Sequence, residues 1–506
     1  MRGWSRVEGR GAGGVLCLKG PGPLPWGSCP PSWRTLLGPF KQSTPPAPLP
    51  SAPLLGLGRG DRALGERILG GRILGERVFG ERKAGERLSR PLSFGFAFLF
   101  ILTSGFGAGC SRPQTLPEST PAVETSGSAF SDSCSSSSSS SGSGSSFRSG
   151  SRDDAMTSMA CTRLLPLVDP SRSPRSRYVG MIAVLITPAG ERVLGLGETI
   201  RGSGVRPDAR TVYELGSLTK LFTALLLADA SIRGRVSIDG PIADCAPSQS
   251  NALCFEGRAI RFGELASHTS GLPRLPTNWK PSNPHNPWAD YTEAKLAAFL
   301  AEFRLTRAPA TQYEYSNLAT GYLGYRLAQR ERMPYSRLLR ERILDPLGMN
   351  DSAIELSPDQ RSRLPQGYDW KGRATPPWDR DDRAVLAGSG ALRSSGADVA
   401  KFLRVALGLR SHPLLAAIRK TLEPRFKINE KRAVGLAWEL RPLKGRAWKN
   451  GATGGFSSSL WIDPLHQVGV ALLSNSSLDG DAADELDQAA SDILTGLLRS
   501  GKPQAP

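Results

Sequence analysis

Three short segments, in chain order, carry residue types that could do chemistry together. Ser217 and Lys220 stand three apart in Ser217-Leu218-Thr219-Lys220. Tyr315-Ser316-Asn317 comes next, and then Lys449-Asn450-Gly451 followed by Ala452-Thr453-Gly454-Gly455-Phe456. A hydroxyl nucleophile, two candidate bases and a positive anchor are the parts needed to attack a carbonyl, hold the acyl group on serine and pass it to water.

The elements that would position these groups follow from the neighbouring residues. Tyr213-Glu214-Leu215-Gly216 reads as extended, and an apolar run from Leu221 to Ala228 reads as a helix, predicted over Ser217–Ala230. Positions three apart share one helix face, so Ser217 and Lys220 can touch. The helix N-terminus favours negative charge developing at Ser217. A lysine acts as base only when neutral, which burial or a second cation promotes. The plainer reading makes Ser217 a cap and Lys220 a solvated side chain, and it fits poorly with a lysine leading an apolar helix.

Tyr315 could serve as a base if cations lower its pKa, and Asn317 could bond Lys220 or a substrate amide. The same triplet also reads as a helix start, capped by Ser316 or Asn317. Lys449-Asn450-Gly451 is expected just before a strand, with the ammonium along a cleft edge. Its glycines would admit substrate backbone, and a strand N–H would complete an oxyanion hole with the Ser217 N–H. A turn lysine before a hairpin is the alternative.

The bulk composition narrows the class. The chain has 506 residues and a net charge of +18, with the basic residues dispersed and no nucleic-acid motif beside them. The seven cysteines are Cys17, Cys29, Cys110, Cys134, Cys161, Cys245 and Cys254. None falls at metal-ligand spacing with the four histidines, so neither a metal nor another cofactor is expected. Cys245 and Cys254 close a short loop. They are either a disulfide, in an oxidising compartment, or free thiols. Cys134 has no evident role. No G-x-S-x-G occurs from residue 162 onward, which excludes the α/β-hydrolase elbow. His268, His285, His412 and His466 lack any signature tying them to a nucleophile, and His268 reads as a structural hydrogen-bonder.

Four regions are expected. Residues 1–90 are low-complexity, with a five-residue repeat from 63 to 87 that matches neither helix nor strand; they form a disordered arm, or the start is assigned too early. Residues 91–110 are uncharged around Phe96–Leu102, preceded by Arg82, Lys83, Arg87 and Arg90, and closed by Gly107-Ala108-Gly109-Cys110. That is the layout of a secretory signal. It resembles a bacterial lipoprotein signal with Cys110 as the lipidated residue, although Gly107 stands where a larger aliphatic residue is usual. A membrane-spanning helix is the alternative. Residues 111–160 read as a Ser/Gly linker. Residues 161–506 read as the folded domain, with strands at Tyr178–Thr187, Glu191–Glu198, Phe456–Ile462 and Val468–Leu473. Helices are predicted at Thr292–Phe303, Asn317–Arg330, Tyr335–Leu347, Ala397–Leu407 and Ala482–Leu498. Strands at both ends around a helical middle give an α+β fold.

Further landmarks join the three motifs. They are His268-Thr269-Ser270-Gly271-Leu272-Pro273, Pro346-Leu347-Gly348-Met349-Asn350-Asp351-Ser352 and Gly390-Ala391-Leu392-Arg393-Ser394-Ser395. With them the chain resembles the serine β-lactamase and penicillin-binding-protein superfamily over about residues 170–500, in the class C-like branch that also holds DD-peptidases and esterases. The resemblance implies an antiparallel sheet flanked by helices, with an inserted helical subdomain. It implies that Ser217 forms the acyl-enzyme, that Lys220 and Tyr315 relay the proton, and that the N–H groups of Ser217 and Ala452 form the oxyanion hole. Asn317, Asn450 and Gly451 would line the substrate site. Lys449 would bind the substrate carboxylate and help keep Tyr315 deprotonated. Asn450 departs from the usual Thr or Ser, whose hydroxyl helps hold a β-lactam carboxylate.

The expectation is an exported, periplasmic, lipid-anchored serine hydrolase that opens a β-lactam amide. A DD-carboxypeptidase or endopeptidase acting on cell-wall peptides comes second and an esterase third. A non-catalytic binder of cell-wall fragments is the alternative of another class. Its partners would be that small substrate and a membrane reached through Cys110, with no nucleic acid.

Overall fold

Alternation along the strands decides where the layers form. In Gly180–Thr187 (β1) every side chain from Met181 to Ile186 is buried, with even and odd positions in different clusters. Ile182, Val184 and Ile186 join one core, while Met181, Ala183 and Leu185 join another. Successive side chains point to opposite faces of a strand, so this strand is covered on both sides. Gly190–Gly197 (β2) pairs with it antiparallel through the turn at Pro188 and Ala189.

The computed structural model describes Cys134, residues 152–171, Ser173, and residues 177–379, 384–477 and 481–500. The expectations for residues 1–90, for the signal at 91–110 with Cys110, and for most of the linker lie outside the described residues.

Late in the chain come Phe426–Asn429 (β3), Arg432–Val434 (β4), Glu439–Arg441 (β5), Arg446–Ala452 (β6), Ser457–Asp463 (β7) and Val468–Ser474 (β8). They complete one eight-stranded antiparallel sheet in the order β2-β1-β8-β7-β6-β5-β4-β3. The first and last strands of the domain, β1 and β8, are neighbours, with Met181 opposite Ser474. Helices Arg152–Val168 (α1) and Asp481–Ser500 (α6) supply the cover for one face, through Ala160, Leu164, Leu167, Leu486, Ile493 and Leu494. Between β2 and β3 the chain makes its helical excursion. It contains Thr219–Ile232 (α2), Glu293–Glu302 (α3), Asn317–Glu331 (α4) and Gly396–Ala406 (α5). Residues of α2, α4 and α5 fill the larger core on the other face.

The fold is the α+β arrangement read from the sequence, with three corrections. Residues 152–160, assigned to the linker, are the first half of α1, and Cys134 is disulfide-bonded to Cys161 within that helix. The Ser/Gly-rich surroundings of Cys134 hid this, because a pairing partner is set by tertiary folding and not by local composition. Lys449, expected ahead of a strand, lies inside β6. Strands β3 to β5 were not anticipated; each has only three or four residues with charged side chains among them, too few to show a period.

Candidate active site

The nucleophile's segment is clamped before it turns. Val212–Glu214 pairs with Arg393–Ser395, and the Leu215 N–H donates to the Leu392 carbonyl at 2.9 Å. Gly216 then adopts φ +50° and opens a single 3₁₀ turn, Gly216–Leu218, that runs into α2. A side chain at Gly216 would lie 2.6 Å from the Ala452 nitrogen, and one at Gly451 would lie 2.7 Å from the Ser217 nitrogen. Only glycine permits this approach, which brings the edge of β6 against the serine backbone. The two segments expected to supply the oxyanion hole therefore adjoin.

Lys220 is fully buried on the first turn of α2. Its ammonium donates to Ser217 Oγ at 3.0 Å, Asn317 Oδ1 at 2.8 Å and the Ser389 carbonyl at 2.5 Å. These three acceptors match the three protons of a charged amine. Tyr315 Oη donates to Ser217 Oγ at 2.6 Å. Ser316 is the cap of α4: its Oγ accepts from the Ala319 N–H at 2.9 Å and donates to the Pro273 carbonyl at 2.6 Å. That cap fixes Tyr315 just outside the helix and Asn317 just inside it.

Lys449 rises from β6 to within 4.7 Å of the Tyr315 ring centre. Its side chain is 2% exposed and faces Glu439 on β5 at 3.9 Å. Glu439 also accepts from Tyr313 Oη at 2.5 Å and from Arg432 at 3.0 Å. Burial lowers the Lys449 pKa, partly offset by Glu439. The guanidinium of Arg274 also stands 5.1 Å from the Tyr315 ring centre. His268 stacks obliquely on that ring at 4.6 Å, and its Nδ1 accepts from the Ser316 N–H at 3.3 Å. Burial and the nearby Lys449 and Lys220 hold His268 well below its usual pKa, so it stays neutral and takes the structural role expected of it.

Burial pushes the Tyr315 phenol up to about 12, and the bond to Ser217 and the charge of Arg274 offset only part of that shift. The Ser217 hydroxyl oxygen accepts from both flanking groups.

Of the residues singled out in the sequence, Ser217, Lys220, Tyr315, Asn317, Lys449, Gly451 and Ala452 converge on this one place. Asn450, also on β6, is exposed. Cys245 and Cys254 are disulfide-bonded, closing a loop ahead of a two-residue hairpin. Sequence reasoning passed over Arg274 and Glu439. Arg274 directly follows the His268–Pro273 segment, which was the available signal; Glu439 gave none.

A protein-family model described as Beta-lactamase matches residues 174–494. The chain belongs to this family. It is thereby a serine hydrolase of the β-lactamase and penicillin-binding-protein superfamily. Within the beta-lactamase family it is 30% identical to the D-alanyl-D-alanine-carboxypeptidase/endopeptidase AmpH of Escherichia coli, over 58% of this chain and 79% of that one. Identity to a Beta-lactamase of Lysobacter lactamgenus is 24%, over 63% and 88%. Among solved structures, the Beta-lactamase/D-alanine Carboxypeptidase from Yersinia pestis, complexed with citrate, superposes with TM-score 0.55 at 25% identity. That match covers 63% of this chain and 93% of the other.

Proposed function

We propose that this protein hydrolyses amide bonds of cell-wall peptides ending in D-alanyl-D-alanine, through an acyl-enzyme on Ser217, and that β-lactams acylate the same serine. The observation that carries the reading is Ser217 Oγ held between Lys220 Nζ at 3.0 Å and Tyr315 Oη at 2.6 Å. In this reading the reactive form of the Lys220–Tyr315 pair has lost one proton, and Ser217 Oγ attacks the carbonyl while its own proton passes to that pair. The tetrahedral oxygen takes its charge against the Ser217 and Ala452 N–H groups. The same pair protonates the leaving amine and later activates the water that releases the acyl group. Asn317 and Lys449 orient this pair, and no metal or cofactor enters.

Two observations favour a peptidase over rapid β-lactam hydrolysis. A 30% identical relative, that of Escherichia coli, bears a carboxypeptidase/endopeptidase name. Asn450 also brings an amide where the hydroxyl that helps hold a β-lactam carboxylate is usual. β-Lactamase turnover remains the second reading, favoured by relatives of that name. Export to an oxidising periplasm, with Cys110 as a lipid anchor, belongs to the same proposal; the Cys134–Cys161 and Cys245–Cys254 disulfides support the oxidising compartment.

Intact-mass measurement over time, with the protein mixed with benzylpenicillin, separates the two readings. An adduct lasting many minutes, together with release of D-alanine from a D-Ala-D-Ala peptide, is expected. An adduct that clears in seconds while hydrolysed drug accumulates would make the protein a β-lactamase. The Ser217→Ala variant should give neither adduct nor turnover and should melt as the parent does; retained hydrolysis in it would remove the mechanism.

A further inference from the structure

The accessible positive charge of the site is not the lysine the motif would suggest. Lys449 is 2% exposed and lies 3.9 Å from the Glu439 carboxylate, so its charge is enclosed beneath the surface. Lys220 is fully buried and surrounded by acceptors. Arg274 differs from both. Its side chain is exposed, and no carboxylate of a described residue lies within ion-pair distance of it. Nevertheless it is fixed in place. Its carbonyl accepts from the Asn317 N–H at 3.0 Å and more weakly from the Leu318 N–H at 3.4 Å, and the preceding carbonyl accepts from Ser316 Oγ. The guanidinium, 5.1 Å from the Tyr315 ring centre, is thus anchored to the helix start that carries Tyr315 and Asn317.

A guanidinium fixed at its backbone, exposed at its tip and resting on an aromatic ring is a bidentate receptor for a carboxylate. Tyr315 in turn bonds Ser217, so the guanidinium borders the nucleophile's own hydrogen-bond partner. We propose that Arg274 is a specificity-determining residue that binds a carboxylate of the acyl donor, a task for which the enclosed Lys449 and the exposed Asn450 amide are poorly placed. The proposal rests on the acyl-Ser217 reading above. Two carboxylates satisfy this chemistry: the C-terminal one on the leaving amino acid, or one carried by a side chain of the acyl portion.

The test compares charged and neutral substrates within each form of the protein. Removing Arg274 also removes a charge near Tyr315, and the ratio of kcat/KM for the two substrates cancels that effect. One pair of D-Ala-D-Ala peptides differs as C-terminal acid against C-terminal amide; the other differs as Glu against Gln in the acyl portion. In Arg274→Ala the preference for the acid should fall about tenfold or more in one pair, in KM more than in kcat, and Arg274→Lys should restore part of it. The pair that responds identifies which carboxylate is held. Unchanged ratios in both pairs would overturn the proposal. Acylation of Ser217 by a neutral activated ester, measured in the parent, tells this failure apart from failure of the acyl-serine reading.

Discussion

At the scale of single residues, the ionisation of the site sets its pH response. Tyr315 is the phenol whose proton bonds Ser217, and burial raises it to about 12. A raised phenol pKa makes phenolate scarce at neutral pH and more abundant as pH rises. If the phenolate takes the serine proton, the acylation rate should climb by up to about tenfold per pH unit between roughly pH 7 and 10. Stopped-flow acylation should show this slope in the parent and a flat, much slower profile in Tyr315→Phe; equal slopes in the two would remove Tyr315 as the base. Ser217 and Lys220 were legible in the sequence because their meeting needs only one helix turn. Arg274 and Glu439 were not, since each reaches the site from an element whose approach is fixed only by folding. The raised Tyr315 pKa was not legible for a related reason: nearby cations are visible as motifs, whereas the desolvation of a ring is a property of the packed structure.

At the scale of elements, two glycines hold the halves of the site together. β6 passes so close to the 3₁₀ turn of Ser217 that a methyl at Gly451 would stand 2.3 Å from the Leu215 carbonyl oxygen. Gly451→Ala must therefore push β6 away from the serine. Displacement of about an ångström at reacting groups costs on the order of 100-fold in rate. Acylation by penicillin should drop by that order while thermal unfolding moves only a few degrees; an unchanged acylation rate would mean that β6 is not part of the site. Most of the long helices and the four principal strands were predictable from apolar spacing, because each buries a regular face. The strands β3 to β5 escaped because three or four residues each, with lysines and arginines among them, offer no period to read.

At the scale of the whole molecule, the domain begins earlier than its composition indicates. Helix α1 buries Met156, Leu164, Leu167 and Val168 beside α6 on the second face of the sheet. Exposing four such side chains costs on the order of 6–12 kcal/mol, at about 1.5–3 kcal/mol each. That is comparable with the whole stability of a typical domain, about 5–15 kcal/mol. A chain starting at residue 169 should be insoluble or unfolded at 25 °C by circular dichroism, whereas one starting at residue 130 should melt cooperatively; a cooperative melt in both would show α1 to be dispensable. The arrangement of the sheet has a further result. Ser217 and Tyr315 belong to the helical excursion, whereas Lys449, Gly451 and Ala452 belong to strands made near the end of the chain, and β1 closes on β8 only when that end has arrived. During its synthesis the chain thus carries an inert serine, and any passage made before folding is complete is made with the nucleophile still dormant.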